Sequence, residues 1–445
     1  MKTFHCSRCS QLVFFENVRC ERCGAMLGYL PDIGEISAFE PAEQVAQPGG
    51  VGQSQQAPSQ GQSRGQGQGQ SQGQDQGELQ PPPPEPQGQQ GQQAQPVQPL
   101  ESSAPHPQPA GAVSSELWRS LHPEAQGRLY RMCDNYAIEN VCNWMVPADS
   151  PHRLCASCEL TRVIPNLAPP DNRMFWYRLE AAKRRLLYTL AVLKLPIGPM
   201  QDGVDGGVAF EFLEDSPEGK RVLTGHDNGL ITLNVAEADD AQREKARAQM
   251  HEPYRTLLGH FRHEIGHYYF DQLVDGTQWA QPFRDLFGDE RADYGEALER
   301  HYREGPPADW MQTFISAYAT THPWEDWAET WAHYLHMVDT LDTALSCGLA
   351  LVPDDPREPT LTDSTPVEDA GFDSLLKRWF PLTYVLNSLN RSLGMPDGYP
   401  FTLAPKVVDK LRFVHRVVSA GVLPKEGAGT HPTGPANLEQ EMLGS

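Results

Sequence analysis

Gly259-His-Phe-Arg-His-Glu-Ile-Gly-His-Tyr-Tyr-Phe270 is the stretch from which the rest of the chain can be read. It contains His263-Glu264-Ile265-Gly266-His267, an HExxH pattern. Its flanks, Tyr254 to Leu258 and Tyr268 to Val274, carry apolar residues at helical spacing and no proline. On a helix, residues four apart lie one above the other on one face. His263 and His267 then aim two imidazoles at one point, which suits Zn²⁺ at roughly 2.0–2.1 Å from each nitrogen. Glu264 reaches the open side of such a metal, where a carboxylate can take a proton from water and pass it to a leaving amine. The same pentapeptide also arises by chance on solvated helix faces. A run this apolar that carries His, Glu and His together is hard to explain as packing. Gly266 is a poor helix former and is expected to leave the backbone open beside the metal.

Two histidines do not complete a catalytic zinc site, which usually has three protein ligands and a water. Leu273 stands six residues past His267, where a third histidine would fall. A glutamate from a later helix is the alternative, and the candidate stretch runs from Ala317 to Ala332. Pro323 is a natural helix start, and Glu325 and Glu329, four apart, then share one face. One can ligate zinc while the other accepts the free N–H of a ligand histidine; their spacing alone does not say which. The ordinary alternative, a solvated helix face, fits poorly with tryptophans at 324, 327 and 331.

HEIGH followed by a Glu-x-x-x-Glu helix resembles the gluzincins. That resemblance implies a zincin-like fold, Glu325 as the third zinc ligand and Glu329 as the acceptor behind a ligand histidine. Tyr318, seven residues before Glu325, is placed like the tyrosine of the lethal-factor group. The likeness implies a phenol that polarises the scissile carbonyl or steadies its oxyanion. The bland alternative for Tyr318 is a core or rim tyrosine.

With 445 residues, two or three folded units are expected. There are 36 basic and 58 acidic residues, a formal charge of −22, and such a surface argues against nucleic-acid binding by the whole protein. The start, Met1 to Cys6, has no apolar signal region, and the longest apolar run, Leu186 to Leu193, is too short for a membrane span. These features point to a cytoplasmic protein with no membrane partner. Of nine cysteines, eight fall into two clusters of four; in a reducing compartment, clusters mean metal more often than disulfides. Cys347 stands alone in an apolar context and is expected to be buried.

Cys6, Cys9, Cys20 and Cys23 form two CxxC pairs ten residues apart, the spacing of a tetrahedral zinc ribbon. Leu12 to Phe15 is the expected strand between them, and zinc substitutes for a core that residues 1–28 cannot build. The ribbon can also serve as a contact for a partner protein. From 39 to 111 the composition collapses to Gln, Gly, Pro and Ser, which predicts a disordered linker that tethers the ribbon without fixing its orientation. Folded sequence resumes near 114, with helix or turn expected over Ser115–Leu121 and Gln126–Cys133. Cys133, Cys142, Cys155 and Cys158 then favour a second structural zinc inside the main domain, over buried free thiols. His152 is a rival ligand, more simply a surface residue.

The main domain is expected over 114–424, with a loose tail at 425–445. A long helix is predicted over 170–195, capped by Asp171 or Asn172 and stopped by Pro196. Val208–Leu213 and Leu230–Val235 read as two antiparallel strands just ahead of the metal helix. Gly229–Asn234 is the expected edge that an extended peptide would join. Helices dominate afterwards, and His333 and His336 are expected in packing or in support of the ligands, not as ligands themselves. The fold class is therefore α+β: a mainly helical zincin-like domain with a small antiparallel sheet, plus the ribbon.

Taken in order, the ribbon, the cysteines from Cys142 to Cys158, HEIGH and Pro323-Trp-Glu-Asp-Trp-Ala-Glu-Thr-Trp-Ala-His-Tyr-Leu-His-Met337 resemble a bacterial family of zinc-binding metallopeptidases with an amino-terminal zinc ribbon. The resemblance covers both ends of the chain outside the linker and implies one catalytic and one or two structural zinc ions, and a protein or peptide substrate. The expected activity is peptide-bond hydrolysis with Glu264 as general base. Two alternatives stand beside it: an interaction scaffold with an inactive or auto-inhibited zincin domain, and a zinc hydrolase of a non-peptide amide.

Overall fold

The computed structural model describes residues 1–42, 116–201, 206–215, 221–249, 252 and 254–421. From residue 43 onward the expected linker lies outside them, as does the expected tail.

The chain opens with a two-residue hairpin, β1 (Phe4–His5) against β2 (Leu12–Val13), too short to hold itself together. It leads into β3 (Met26–Leu30), β4 (Glu35–Pro41), β5 (Trp118–Ser120), β6 (Leu129–Met132), the single-turn helix α1 (Asp134–Ala137) and β7 (Met145–Pro147). The five strands form one antiparallel meander in the order β3-β4-β5-β6-β7. The sheet curls until its ends meet: Tyr29 N–H donates to Asn143 O at 2.8 Å. Gly28 permits this, because a Cβ there would lie 2.6 Å from Met145 Cγ.

The fold departs from the expected one in this region. The segments expected as helix or turn near 115–133 are strands, since pairing with Phe39–Pro41 outweighs local preference. The cysteine-bearing β region does not end at residue 28: the first group stands on the β1–β2 hairpin and the turn before β3, the second flanks β6 and β7, and the sheet β3 to β7 joins them, with β4 and β5 paired from either side of the polar segment. Nor does the ribbon hang free. Phe4 and Phe15 pack edge-on to Tyr188, with centroids at 6.3 and 5.8 Å. Arg185 Nε donates to Glu16 Oε1 at 2.6 Å, and the Met1 amino group meets Asp339 Oδ1 at 2.5 Å.

The remainder comprises β8 (Thr161–Val163), α2 (Asn172–Val192), β9 (Ala209–Leu213), β10 (Gly225–Asp227), β11 (Leu230–Asn234), α3 (Asp240–Gln249), α4 (Leu257–Leu273), α5 (Ala280–Phe287), α6 (Tyr294–Glu304), α7 (Pro323–Ser346), α8 (Phe372–Ser392) and α9 (Pro405–Ala420). The second sheet runs β10-β11-β9-β8 and is mixed. β11 and β8 lie parallel to β9, and only β10 is antiparallel. The predicted antiparallel pair is thus parallel, and Gly229–Asn234 falls inside the sheet. The reason is a tight turn at Asn228-Gly229, where φ is +48° and +85°. That two-residue geometry joins antiparallel neighbours, so the edge passes to Gly225–Asp227.

α4 and α7 form the heart of the helical part. Phe261, Ile265 and Leu273 of α4 and Trp327 and Trp331 of α7 are wholly buried. Gly266 faces α7 instead of opening beside the metal: a Cβ would lie 3.2 Å from Ala328 Cα and 3.1 Å from Trp331 Cδ1. Trp327 Nε1 donates to Gly266 O at 2.9 Å. Gly266→Val is therefore expected to cost about 1–3 kcal/mol through overpacking against main chain, read as a lower urea midpoint; an unchanged midpoint would mean that the helices can part. Cys347, expected in the core, caps the end of α7 in solvent. Among the described residues, no helix is long and apolar enough to cross a membrane.

Candidate metal centre

Thr256 caps α4, its hydroxyl accepting Gly259 N–H at 3.0 Å, and the helix then places His263 and His267 one turn apart. Their Nε2 atoms approach to 3.2 Å. α7 begins with Pro323 behind the N-cap His322, so Glu325 stands in its first turn. Glu325 Oε2 lies 3.0 Å from His263 Nε2 and 3.5 Å from His267 Nε2. These separations match the roughly 3.3 Å edge of a tetrahedron with bonds near 2.05 Å. Oε2 is buried and accepts no hydrogen bond despite its neighbours. Three lone pairs, two imidazole and one carboxylate, converge on one buried point, a donor set that suits zinc.

Outer contacts hold these donors. His263 Nδ1–H donates to Glu329 Oε1 at 2.7 Å. Glu329 thus meets the far nitrogen of His263, while Glu325 meets both Nε2 atoms. Tyr294 OH donates to Glu325 Oε1 at 2.8 Å. Trp324 lies against the His267 ring, centroids 3.8 Å apart. His226 of β10 lies nearly parallel to His267 at 6.1 Å. Gly229 N–H donates to His226 Nε2 at 2.8 Å, which leaves Nδ1 buried and unpartnered. Burial and the neighbouring His267 push the His226 pKa down to about 3.

Burial and neighbouring charges shift all four groups, His263, His267, Glu325 and Glu329. Burial disfavours the charged form of His263, yet Glu325 and Glu329 raise its pKa well above the imidazole range. Burial lowers that of His267. Burial raises Glu325, but His267 and His263 outweigh it and hold the carboxyl well below its usual value. Glu329, raised by burial, is likewise lowered on balance by His263. Two buried carboxylates held below their usual range beside two imidazoles favour a cation at this point.

Glu264, between the two histidines in sequence, is 7% exposed. Tyr318 is half-buried, its ring 6.0 Å from that of His263 and 6.2 Å from that of His301. His333, expected in packing or behind the ligands, is buried and shares a hydrogen bond with Tyr399 OH at 2.9 Å. Sequence reasoning missed Tyr294, Trp324 and His226. The Asn228-Gly229 turn would have marked the strand of His226, whereas nothing local marks Tyr294.

The cysteines form two further groups, Cys6, Cys9, Cys20 and Cys23, and Cys133, Cys142, Cys155 and Cys158, each with its sulfurs within 4.8 Å of one another. None of the eight is in a disulfide, and the second group is entirely buried. Trp144 N–H and Cys155 N–H donate to Cys142 and Cys133 Sγ, both at 3.3 Å. His152 is exposed and pairs with Glu159 at 2.5 Å, away from the ligand set.

A family model described as "Putative zinc-binding metallo-peptidase" matches residues 172–417. A zinc-ribbon domain model matches residues 3–64 and 102–169, taking in both cysteine groups. Uncharacterized proteins of Mycobacterium bovis and Mycobacterium tuberculosis are 48% identical over 289 residues, 65% of this chain and 82% of each relative. No solved structure matches. Zinc binding is supported by both family matches and by the two four-cysteine groups.

Proposed function

The chain belongs to the zinc-binding metallo-peptidase family, and we propose that it hydrolyses peptide bonds at the His263, His267 and Glu325 centre with Glu264 as general base. The observation that carries this is the convergence of two imidazole nitrogens and one carboxylate oxygen at one buried point, with the buried Glu264 next to His263 in the chain. Zinc, when bound, supplies Lewis-acid polarisation of water and of a carbonyl oxygen. Glu264 takes the proton of the attacking water and delivers it to the departing nitrogen. Glu329 holds the His263 proton at Nδ1, which fixes the tautomer that frees Nε2. Tyr318 donates to the carbonyl oxygen as negative charge gathers there. Tyr318→Phe should lower kcat about 10²-fold with KM and zinc content unchanged, and steady-state kinetics check this; an unaltered kcat would remove Tyr318 from the reaction.

An extended peptide substrate adds to β10, the outer strand beside α4, by main-chain hydrogen bonds. The free cysteine clusters favour a reducing compartment, the cytoplasm. The test compares the termini of host-cell proteins in cells carrying wild type or Glu264→Ala at equal level, with and without a zinc chelator. New termini that need both Glu264 and metal support a peptidase. Their absence, with zinc bound in both proteins, would sink the reading.

A further inference from the structure

The geometry points to Tyr294 as the residue that decides which oxygen of Glu325 is presented to a metal. A carboxylate on a helix's first turn can rotate and offer either oxygen or both. Here Oε1 accepts the Tyr294 hydroxyl at 2.8 Å, while Oε2 lies 3.0 and 3.5 Å from the two histidine nitrogens with no hydrogen bond of its own. One oxygen is thus engaged and the other aimed.

Tyr294 is itself held in place. It is the first residue of α6, behind Asp293, whose Oδ1 accepts Glu296 N–H at 2.8 Å. Two residues earlier, Ala292 O accepts His322 Nε2–H at 3.1 Å, and His322 Nδ1 accepts Trp324 N–H at 3.2 Å. The Tyr294 ring stands edge-on to His322 at 5.4 Å and to Trp324 at 6.1 Å. Residues 292–294 and 322–325 are therefore pinned together at two points, one through main chain and one through the phenol. The cost of freezing the Glu325 torsion is met during folding instead of at metal binding. Tyr294 is a positioning residue acting through Glu325, distinct in duty from Tyr318.

This inference rests on the metal-centre reading above but not on peptidase activity. Zinc content and affinity of the full chain are measured by competition with a chromophoric chelator, for wild type, Tyr294→Phe and Tyr318→Phe. Wild type should bind one ion at the His/His/Glu centre and one at each four-cysteine group. Tyr294→Phe should weaken the His/His/Glu ion about 10–100-fold and spare the other two, and Tyr318→Phe should weaken none. Wild-type affinity in Tyr294→Phe overturns the inference, and so does an equal loss in Tyr318→Phe. Wild type that binds zinc only at the cysteine groups would overturn the metal centre itself and this inference with it, an outcome distinct from the other two.

Discussion

Glu264→Gln is expected to keep zinc at all three donor groups and to lower peptide-bond cleavage about 10³- to 10⁴-fold. Glutamine matches glutamate in shape but cannot carry the proton from water to nitrogen. The donor atoms that converge belong to His263, His267 and Glu325, so the metal should stay when Glu264 is neutralised. The loss corresponds to about 4–5.5 kcal/mol on the barrier, far more than a buried isosteric change does to a packed helix. Elemental analysis and host-protein termini, compared at equal protein level, give the two readouts separately. Cleavage within tenfold of wild type would remove Glu264 as base. Loss of zinc would instead make Glu264 part of the metal's support and send the search for the base elsewhere.

The facing of His263 and His267, and of Glu325 and Glu329, was legible because it rests on helical periodicity. HExxH and Glu-x-x-x-Glu each place two side chains on one face whatever the surroundings, and the cysteine pairs likewise carry their geometry in their spacing. What was not legible depends on pairing between distant segments. β5 and β6 are three or four residues long and become strands only because β4 is there to pair with. β10 is missed because Gly225-His226-Asp227 has no strand character, although the Asn-Gly turn after it is a hairpin signal. Tyr294 and Glu325 are 31 residues apart with no fixed spacing between them. Arg184 is the plainest case. In the run Lys183-Arg184-Arg185 it looks like one more solvated charge, yet its side chain is 1% exposed while that of Arg185 is 41% exposed.

That buried guanidinium leads to the second large expectation: Arg184→Met should cost about 3–5 kcal/mol and release the second structural zinc at lower chelator concentration. Arg184 Nη1 donates to Val141 O at 2.9 Å, and its Nε has no hydrogen-bond partner. Glu180 is 3.9 Å away but is already engaged by Lys183 at 2.9 Å and by the Thr161 hydroxyl at 2.7 Å. Cys142, Cys158 and Cys155 also lie close enough to favour the charged form of Arg184. Four thiolates around a divalent ion leave a net negative charge in a fully buried place, and one guanidinium from α2 offsets part of it. Methionine has nearly the length to keep the packing but leaves that charge uncompensated. Arg184→Lys keeps the charge and loses the fork, so it should fall between the two. Urea unfolding and zinc content, measured on the full chain, decide the matter. If Arg184→Met matches wild type in both, the cluster needs no counter-charge from α2. If both fall together, the second zinc locks the ribbon sheet to α2, and through α2 to the packed helix that carries His263 and His267.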